Sequence, residues 1–239
     1  MPPKRAVQNV KDREVNTAKK RKSGEGVQGT LNFKRMRTDT NKPRPQQRSN
    51  MTKTSDTAGV SSTPSGHKIH VEESQGDIFA APPNTLLIHA CNCEGSWGAG
   101  IAKAFKDSYP TAFDIYADHC EAGSAETLLS TALLIPPAKQ AGDEHFVGCL
   151  FTSKSKGKKK DSPTKILNAT GPAMGNLLRQ VEAFNAKAAD GEKVGEVRMC
   201  RINSGLFSVP WEKTKAVIEG IDVGDGEDAV KVVKCVPRD

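Results

Sequence analysis

LLIHACNCEGSWGAGIAKAF, residues 86–105, is the stretch of this chain that decides the fold. Its first residues, Leu86, Leu87 and Ile88, form the apolar run of a buried strand. A loop with three glycines follows at residues 95–100, and residues 101–105 begin a helix-like pattern. A strand, a glycine loop and a helix start in this order place backbone N–H groups and a positive helix end around an anion. The stretch therefore predicts a site for a phosphate-bearing ligand.

The glycine loop does not match the common nucleotide or metal motifs. Walker A would need Lys-Ser/Thr where the chain has Ile101-Ala102, and the dinucleotide fingerprint needs a glycine where Lys103 stands. His89, Cys91 and Cys93 alternate and could share a strand face. A zinc deaminase, however, needs Glu two residues after His and a later C-x-x-C, and the sequence has neither. We therefore expect no metal and no cofactor.

The positive charge of the chain is confined to its first 66 residues. These carry 15 Lys+Arg and 5 Asp+Glu, whereas residues 67–239 carry 20 and 23. The net charge of +7 therefore belongs to the tail, and it is no argument for nucleic-acid binding by the folded part. Any nucleic-acid contact is expected through the tail alone. With Phe33 as its one aromatic residue, the segment 1–66 is predicted to be a disordered basic tail.

Two short patterns stand out in the tail. Lys4-Arg5 and residues 19–22, KKRK, resemble a two-part nuclear localisation signal, so we expect a nuclear or cytoplasmic protein; the alternative is a solvated basic tail without an address. Gln28-Gly29-Thr30-Leu31-Asn32-Phe33 resembles a degenerate sliding-clamp-binding peptide. It lacks the usual aromatic pair, so chance occurrence is the favoured interpretation.

The cysteines and the hydropathy of the chain limit which class of protein it can be. All six cysteines, Cys91, Cys93, Cys120, Cys149, Cys200 and Cys235, follow the tail, and none forms a C-x-x-C pair. We expect reduced, buried thiols in a soluble intracellular protein. No secretory signal or membrane-length apolar run is recognised, so no membrane contact is expected.

From residue 68 onward, predicted strands alternate with predicted helices. The strands cover residues 68–71, 86–90, 128–135, 146–152, 197–202 and 230–236, and the helices cover 98–108, 111–121, 173–188 and 211–219. This alternation predicts an α/β sheet with helices on both faces, in one domain spanning 67–239. The lysine-rich run at residues 154–160 is expected to be a solvated loop.

Ligands in such sheets bind at the carboxyl ends of strands. Three stretches that follow predicted strands are small, polar or glycine-bearing: Gly76-Asp77-Ile78, residues 89–100 and residues 203–208. They are distant in sequence but could converge on one crevice. The third stretch repeats the strand–loop–helix pattern of the second, and two such loops predict a diphosphate or two separate phosphates.

These blocks also carry a resemblance to a known family. Gly76-Asp77-Ile78, HACNCEGSWGAGIAKAF at 89–105 and NSGLFSVPW at 203–211 resemble, in order and spacing, the macro domains and among them the fungal ADP-ribose 1''-phosphate phosphatases. The resemblance covers residues 68–239. It implies a macro-domain-like mixed sheet flanked by helices on both faces, and it leaves the predicted disordered basic tail that precedes this sheet unexplained.

The resemblance implies a small-molecule partner, ADP-ribose or its 1''-phosphate, in a crevice above the sheet. Asp77 would accept the adenine amino group, Asn92 would hydrogen-bond the distal ribose, and backbone N–H groups of residues 204–209 would cradle the diphosphate, with Phe207 along a ribose. The implied binding residues are Gly76, Asp77, Ile78, Ala90, Cys91, Asn92, Trp97, Gly98, Ala99, Gly100, Ile101, Ala102, Asn203, Ser204, Gly205, Leu206, Phe207, Ser208 and Val209.

The implied reaction is hydrolysis of the terminal phosphate, giving ADP-ribose and inorganic phosphate, in the metabolism of a tRNA-splicing by-product. His89 is the predicted catalytic residue, because a titrating group that faces the glycine loop could reach that phosphate. The alternative is a histidine satisfied inside the sheet end. Two other functions stay open: a non-catalytic ADP-ribose reader, and a hydrolase of protein-linked ADP-ribose. The latter is disfavoured because Phe207 stands where that branch has Asp.

Overall fold

The computed structural model of the chain describes residues 67–224, 230 and 232–236. The predicted disordered tail, its localisation signal and the peptide pattern at residues 28–33 lie outside these residues. No helix in the described part of the chain is both long and apolar enough to cross a bilayer.

The described residues form eight strands and five α-helices, numbered here in chain order. The strands are β1 (His67–Lys68), β2 (His70–Glu73), β3 (Leu86–Asn92), β4 (Ala132–Ile135), β5 (Phe146–Ser153), β6 (Val197–Met199), β7 (Asp222–Val223) and β8 (Val232–Cys235). The helices are α1 (Gly100–Ser108), α2 (Pro110–Ala122), α3 (Ala125–Leu128), α4 (Pro163–Asn185) and α5 (Trp211–Glu219).

Six of the strands form one mixed sheet in the order β2-β8-β6-β3-β5-β4. Neighbours pair in parallel except β4, which runs antiparallel to β5 at the sheet edge. β1 and β7 form a separate antiparallel pair. The five parallel strands β2, β8, β6, β3 and β5 end on the same edge of the sheet, and this edge is where ligands bind in open α/β sheets. The predicted mixed α/β sheet is confirmed.

Side chains that alternate along β3 and β5 show that helices cover both faces. On one face, the position of Gly148 in β5 lies so close to Leu177 of α4 that an added Cβ would approach the leucine side chain to 2.8 Å. On the other face, His89 of β3 stacks on Phe105 of α1, and Phe151 of β5 stacks on Tyr116 of α2. Leu86 to Ile88 are fully buried because both faces are covered.

Helix α4 begins ten residues before the predicted start at residue 173. Its true start is marked by Ser162, whose side chain accepts a hydrogen bond from Lys165 N, and by Pro163 in the first turn. Ser-Pro is a favoured pair for a helix start. The serine side chain accepts a hydrogen bond from a free backbone N–H group of the first turn, and proline has no N–H group that needs an acceptor. Pro172, directly before the predicted start, lies inside the helix, so the predicted start was wrong.

Two predicted strands are shorter than expected, and a third is shifted along the chain. The residues before β4 form α3, whose start is a capping box between Ser124 and Thr127, so residues 128–131 are not strand. β6 ends at Met199, and residues 200–202 already belong to the loop that leads to residue 203. The first strand of the six-stranded sheet is β2, two residues later than predicted.

All six cysteines lie in the described residues, and each is a free, buried thiol. Burial raises the pKa of Cys93 and of Cys200 to about 12, and that of Cys235 to about 11. These three thiols are therefore protonated at neutral pH. The prediction of buried, unpaired cysteines is confirmed.

Candidate functional site

A cavity of about 1180 Å³ lies at the carboxyl ends of β3 and β6. We call it the main cavity; its walls are the glycine loop (residues 95–100) and the second loop (residues 203–209). Twelve of the predicted binding residues line it: Ala90, Asn92, Gly98, Ala99, Gly100, Ile101, Ala102, Asn203, Ser204, Gly205, Leu206 and Phe207. The structure thus brings together the two loops that the sequence predicted to converge.

The second loop presents unpaired backbone donors to the main cavity. Ser208 N donates to Gly205 O and Val209 N to Asn203 O, which closes the loop into a tight arch. The N–H groups of Gly205, Leu206 and Phe207 have no acceptor among the described residues. Adjacent backbone N–H groups that lack protein partners form a cradle for anionic oxygens.

The start of α1 adds a second set of donors. The N–H groups of Gly100, Ile101 and Ala102 have no acceptor among the described residues, and neither a capping side chain nor an acidic residue occupies the first turn. Gly100 has a φ of +59°, a left-handed conformation that favours glycine and sets the direction in which the helix leaves the loop. The helix dipole and these groups favour a negative charge in the main cavity.

Asn92 holds the glycine loop in place. Its Nδ2 donates to Ser96 O at 2.7 Å, and its Oδ1 accepts from Glu94 N at 2.9 Å. Tyr116 fixes the same region, since its hydroxyl donates to Asn92 O and accepts from Ser96 N. Asn92 lines the main cavity, but the oxygen and the nitrogen of its side-chain amide both hydrogen-bond the glycine loop. Its first role is therefore to hold that loop in shape.

His89 lies on the side of β3 that faces away from the main cavity. Its side chain is fully buried, its ring stacks on Phe105 with centroids 4.1 Å apart, and Trp97 packs edge-on against it. The ring nitrogens lie 3.5 and 3.7 Å from Cys91 Sγ. His89 is not among the residues that line the main cavity. The structure does not give it the access to substrate that the predicted catalytic role requires, and that role stays a prediction.

Trp97 and Cys91 also point into the core, although both were predicted to bind ligand. Trp97 is 1% exposed and stacks on Tyr116, so it anchors the glycine loop from behind and its indole does not line the main cavity. The indole Nε1 has no hydrogen-bond partner within the described part of the chain. Cys91 is buried beside His89 and contributes no surface to the main cavity.

His89, Cys91 and Cys149 form a buried cluster whose potential metal-binding atoms lie within 4.8 Å of one another. It differs from the trio weighed from the sequence, because Cys149 of β5 replaces Cys93. Burial raises the pKa of the Cys91 thiol well above its usual value. Cys91 and Cys149 also pack as members of the hydrophobic core.

Gly76 and Asp77 line a second, smaller cavity of about 380 Å³, which we call the side cavity. It shares Glu73, Ser74 and Gln75 with the main cavity, so the two adjoin. Asp77 is exposed, and its Oδ1 accepts from Phe79 N, which leaves Oδ2 available to a ligand. Ile78 is fully buried, and only its backbone could contribute to this region.

Asn203, Ser208 and Val209 shape the second loop. Asn203 has a φ of +64°, and its amide bonds Thr152 and Thr170 in the core. Val209 is buried, and Ser208 Oγ accepts from Lys160 Nζ at 2.9 Å. Ser208 and Val209 were predicted to bind ligand, but neither lines the main cavity.

Sequence reasoning missed two groups of residues at the main cavity, each of which includes a charged side chain. Glu73 and Arg201 lie at its β2 end and form an ion pair at 3.0 Å. Hydrogen bonds lower the pKa of Glu73, the largest effect coming from Lys215. Lys156 and Gly157, from the run expected to be only a solvated loop, line the β5 end. The sequence held one signal for Lys156 and Gly157, because both follow a strand of the parallel part of the sheet.

Comparisons with known proteins agree with this geometry. The family model described as "Macro domain" matches residues 88–218. A protein of Chaetomium globosum named ADP-ribose 1''-phosphate phosphatase is 50% identical over 165 residues, covering 67% of this chain and 88% of that protein. A protein of the same name from Aspergillus fumigatus is 41% identical, covering 64% and 92%. The macrodomain of Mycobacterium tuberculosis DarG superposes with a TM-score of 0.52 at 20% identity, covering 72% of this chain and 99% of that one, which supports the fold.

Proposed function

The chain belongs to the macro-domain family, and on that premise we propose that it is an ADP-ribose 1''-phosphate phosphatase. The enzyme hydrolyses the terminal phosphomonoester and releases ADP-ribose and inorganic phosphate. The observation that carries this function is the 50% identity to the Chaetomium globosum protein of that name along 88% of its length.

The site supports a ligand with several phosphates. The free N–H groups of Gly205, Leu206 and Phe207 suit the diphosphate, and the start of α1 faces the same space. Asp77 in the adjoining side cavity suits an adenine amino group, because its Oδ2 is free to accept a hydrogen bond. Catalysis at such a site would rest on positioning and on stabilisation of phosphate charge by fixed donors.

A non-catalytic ADP-ribose reader is the second candidate, and one observation favours it. The charged side chains that line the main cavity are Glu73, Lys156 and Arg201, while His89 is buried elsewhere. Glu73 is held as a carboxylate by its three donors, so it is a poor proton donor at neutral pH. Binding without turnover is therefore consistent with the site as well.

The test measures phosphate release from ADP-ribose 1''-phosphate, together with calorimetry on ADP-ribose. Gly205→Phe is the blocked variant, because Gly205 lines the main cavity and a Cβ added there meets no atom within 4 Å. Gly195→Phe is its control, since that glycine is equally open and does not line the main cavity. We expect the wild type and Gly195→Phe to release phosphate and Gly205→Phe to lose it.

The alternative outcomes separate the functions. Tight ADP-ribose binding without phosphate release by the pure wild type would overturn the phosphatase and leave the reader. Release that survives unchanged in Gly205→Phe would show that the reaction takes place outside the main cavity.

A further inference from the structure

Residues 154–160, which we call the lysine loop, are built into the fold. At the stem, Asp161 Oδ2 accepts from Lys154 N at 2.7 Å, and Asp161 N donates to Ser153 Oγ at 3.0 Å. Between these ends, Gly157–Lys159 forms a 3-10 turn. The loop is therefore closed at its base and has a defined turn at its tip.

Lys160 ties the lysine loop to the wall of the main cavity. Its ammonium donates to Leu206 O at 2.7 Å and to Ser208 Oγ at 2.9 Å. Both acceptors belong to the second loop, whose free N–H groups face the main cavity. Lys156 is thus carried by a segment fixed at its stem and at its far end.

Sheet order shows which end of the main cavity Lys156 occupies. β5, which leads into the lysine loop, is four strand spacings from β2, or about 19 Å at roughly 4.8 Å per strand. Glu73 is the last residue of β2, Asp77 follows that strand, and Arg201, which pairs with Glu73, follows β6. A ligand with its adenine beside Asp77 would therefore bring its opposite end towards Lys156.

Lys156 is also the cation at the main cavity that remains available to a ligand. Of the two cations lining it, Arg201 is paired with Glu73, whereas the Lys156 ammonium has no hydrogen-bond or ion-pair partner among the described residues. A phosphomonoester carries close to two negative charges at neutral pH, and ADP-ribose lacks this group. A cation at this end can distinguish the two ligands.

We propose that Lys156, held in place by the lysine loop, binds the terminal phosphate and is the residue that selects the phosphorylated ligand over ADP-ribose. The inference rests on the proposed function, because it places the adenine end and the terminal phosphate of that substrate at opposite ends of the main cavity. It adds a specificity-determining residue from outside the glycine and second loops.

The experiment compares Lys156→Ala with Lys159→Ala in the full chain. Lys159 is an exposed lysine of the same turn that does not line the main cavity. Its replacement by alanine removes the same positive charge from the loop. For Lys156→Ala we expect KM for ADP-ribose 1''-phosphate to rise about tenfold, the loss of one charge-assisted contact, with the Kd for ADP-ribose within about twofold. The control should change neither by more than about twofold.

Failure of this inference is distinguishable from failure of the proposed function. If the wild type releases phosphate and Lys156→Ala leaves KM unchanged, or weakens both ligands equally, the role of Lys156 is wrong and the phosphatase stands. If the wild type binds both ligands without turnover, calorimetry decides: tighter binding of the phosphorylated ligand that is lost in Lys156→Ala supports that role. Equal affinity of the wild type for both ligands, or no binding of either, overturns it.

Discussion

The two sides of residues 89–101 differ in what they contact. On one side, Ala90, Asn92 and the residues from Gly98 onward line the main cavity. On the other, His89 and Trp97 pack with Phe105 and Tyr116 into a buried aromatic cluster. One motif therefore supplies both ligand surface and core. Membership of a family's binding motif therefore does not show that a residue contacts the ligand.

Removing Trp97 should produce the largest effect, because this side chain is the main link between the two sides. We expect Trp97→Ala to lower the free energy of unfolding by about 3–5 kcal/mol through the cavity it leaves, and to abolish ADP-ribose binding by freeing the glycine loop. Urea denaturation and calorimetry measure the two effects. Trp97→Phe retains most of the packing and should cost less than half as much; an equal cost would contradict the packing role.

Gly100→Ala should act mainly on the cavity side. A side chain at φ +59° strains the backbone by about 1–2 kcal/mol, and its Cβ would lie 3.4 Å from Leu206. We expect ADP-ribose affinity to fall about tenfold, as the free N–H groups of α1 are displaced. Gly195→Ala, which has neither strain nor neighbours, is the control. Normal affinity in Gly100→Ala would show that the loop geometry tolerates the change.

His89→Phe examines the buried side with little change in shape. The stack on Phe105 is retained, so we expect the free energy of unfolding to change by less than about 1.5 kcal/mol and ADP-ribose affinity to be unchanged. A large loss of affinity would place His89 in contact with ligand after all. With binding intact, phosphate release from this variant shows whether the predicted acid–base role holds, since phenylalanine can pack there but cannot transfer a proton.

Glu73→Gln should give the smallest effect, and one that depends on pH. Its carboxylate accepts from Lys215, Arg201 and Trp211, which lowers its pKa in the folded state. The stabilisation is therefore complete above the unfolded pKa of about 4.5 and is lost as pH falls through the lower folded value. We expect wild type to exceed Glu73→Gln by up to about 1 kcal/mol at neutral pH. Urea denaturation should show that the difference in free energy of unfolding between wild type and Glu73→Gln disappears in acid. A difference that does not change with pH would contradict ionic stabilisation.

The sequence was informative where structure is local. The strand, glycine loop and helix of residues 86–108 follow from hydropathy and glycine placement; β3 ends two residues later and α1 begins two residues later than predicted. The start of helix α4 was placed too late because the Ser162-Pro163 pair was not recognised as a helix start; Pro172 lies inside the helix, which packs against β5.

Local sequence patterns could not predict which way a side chain points or which loops meet at the cavity. Whether His89 faces the ligand or the core depends on strand parity and on where α1 packs, and both are set by distant segments. Lys156 reaches the main cavity only because β5 pairs with β3 in parallel. A run of lysines looks the same in sequence whether it faces solvent alone or also lines a cavity.

The buried thiols have a practical consequence. A cysteine reacts with an alkylating reagent as the thiolate, so each of these residues is silent until its surroundings open. Cys149 and Cys235 would report the opening of a central strand and of β8, while Cys93 and Cys120 would report that of the region beneath the glycine loop. Labelling rates read by mass spectrometry would then rank the parts of the domain by local stability, with no engineered probe.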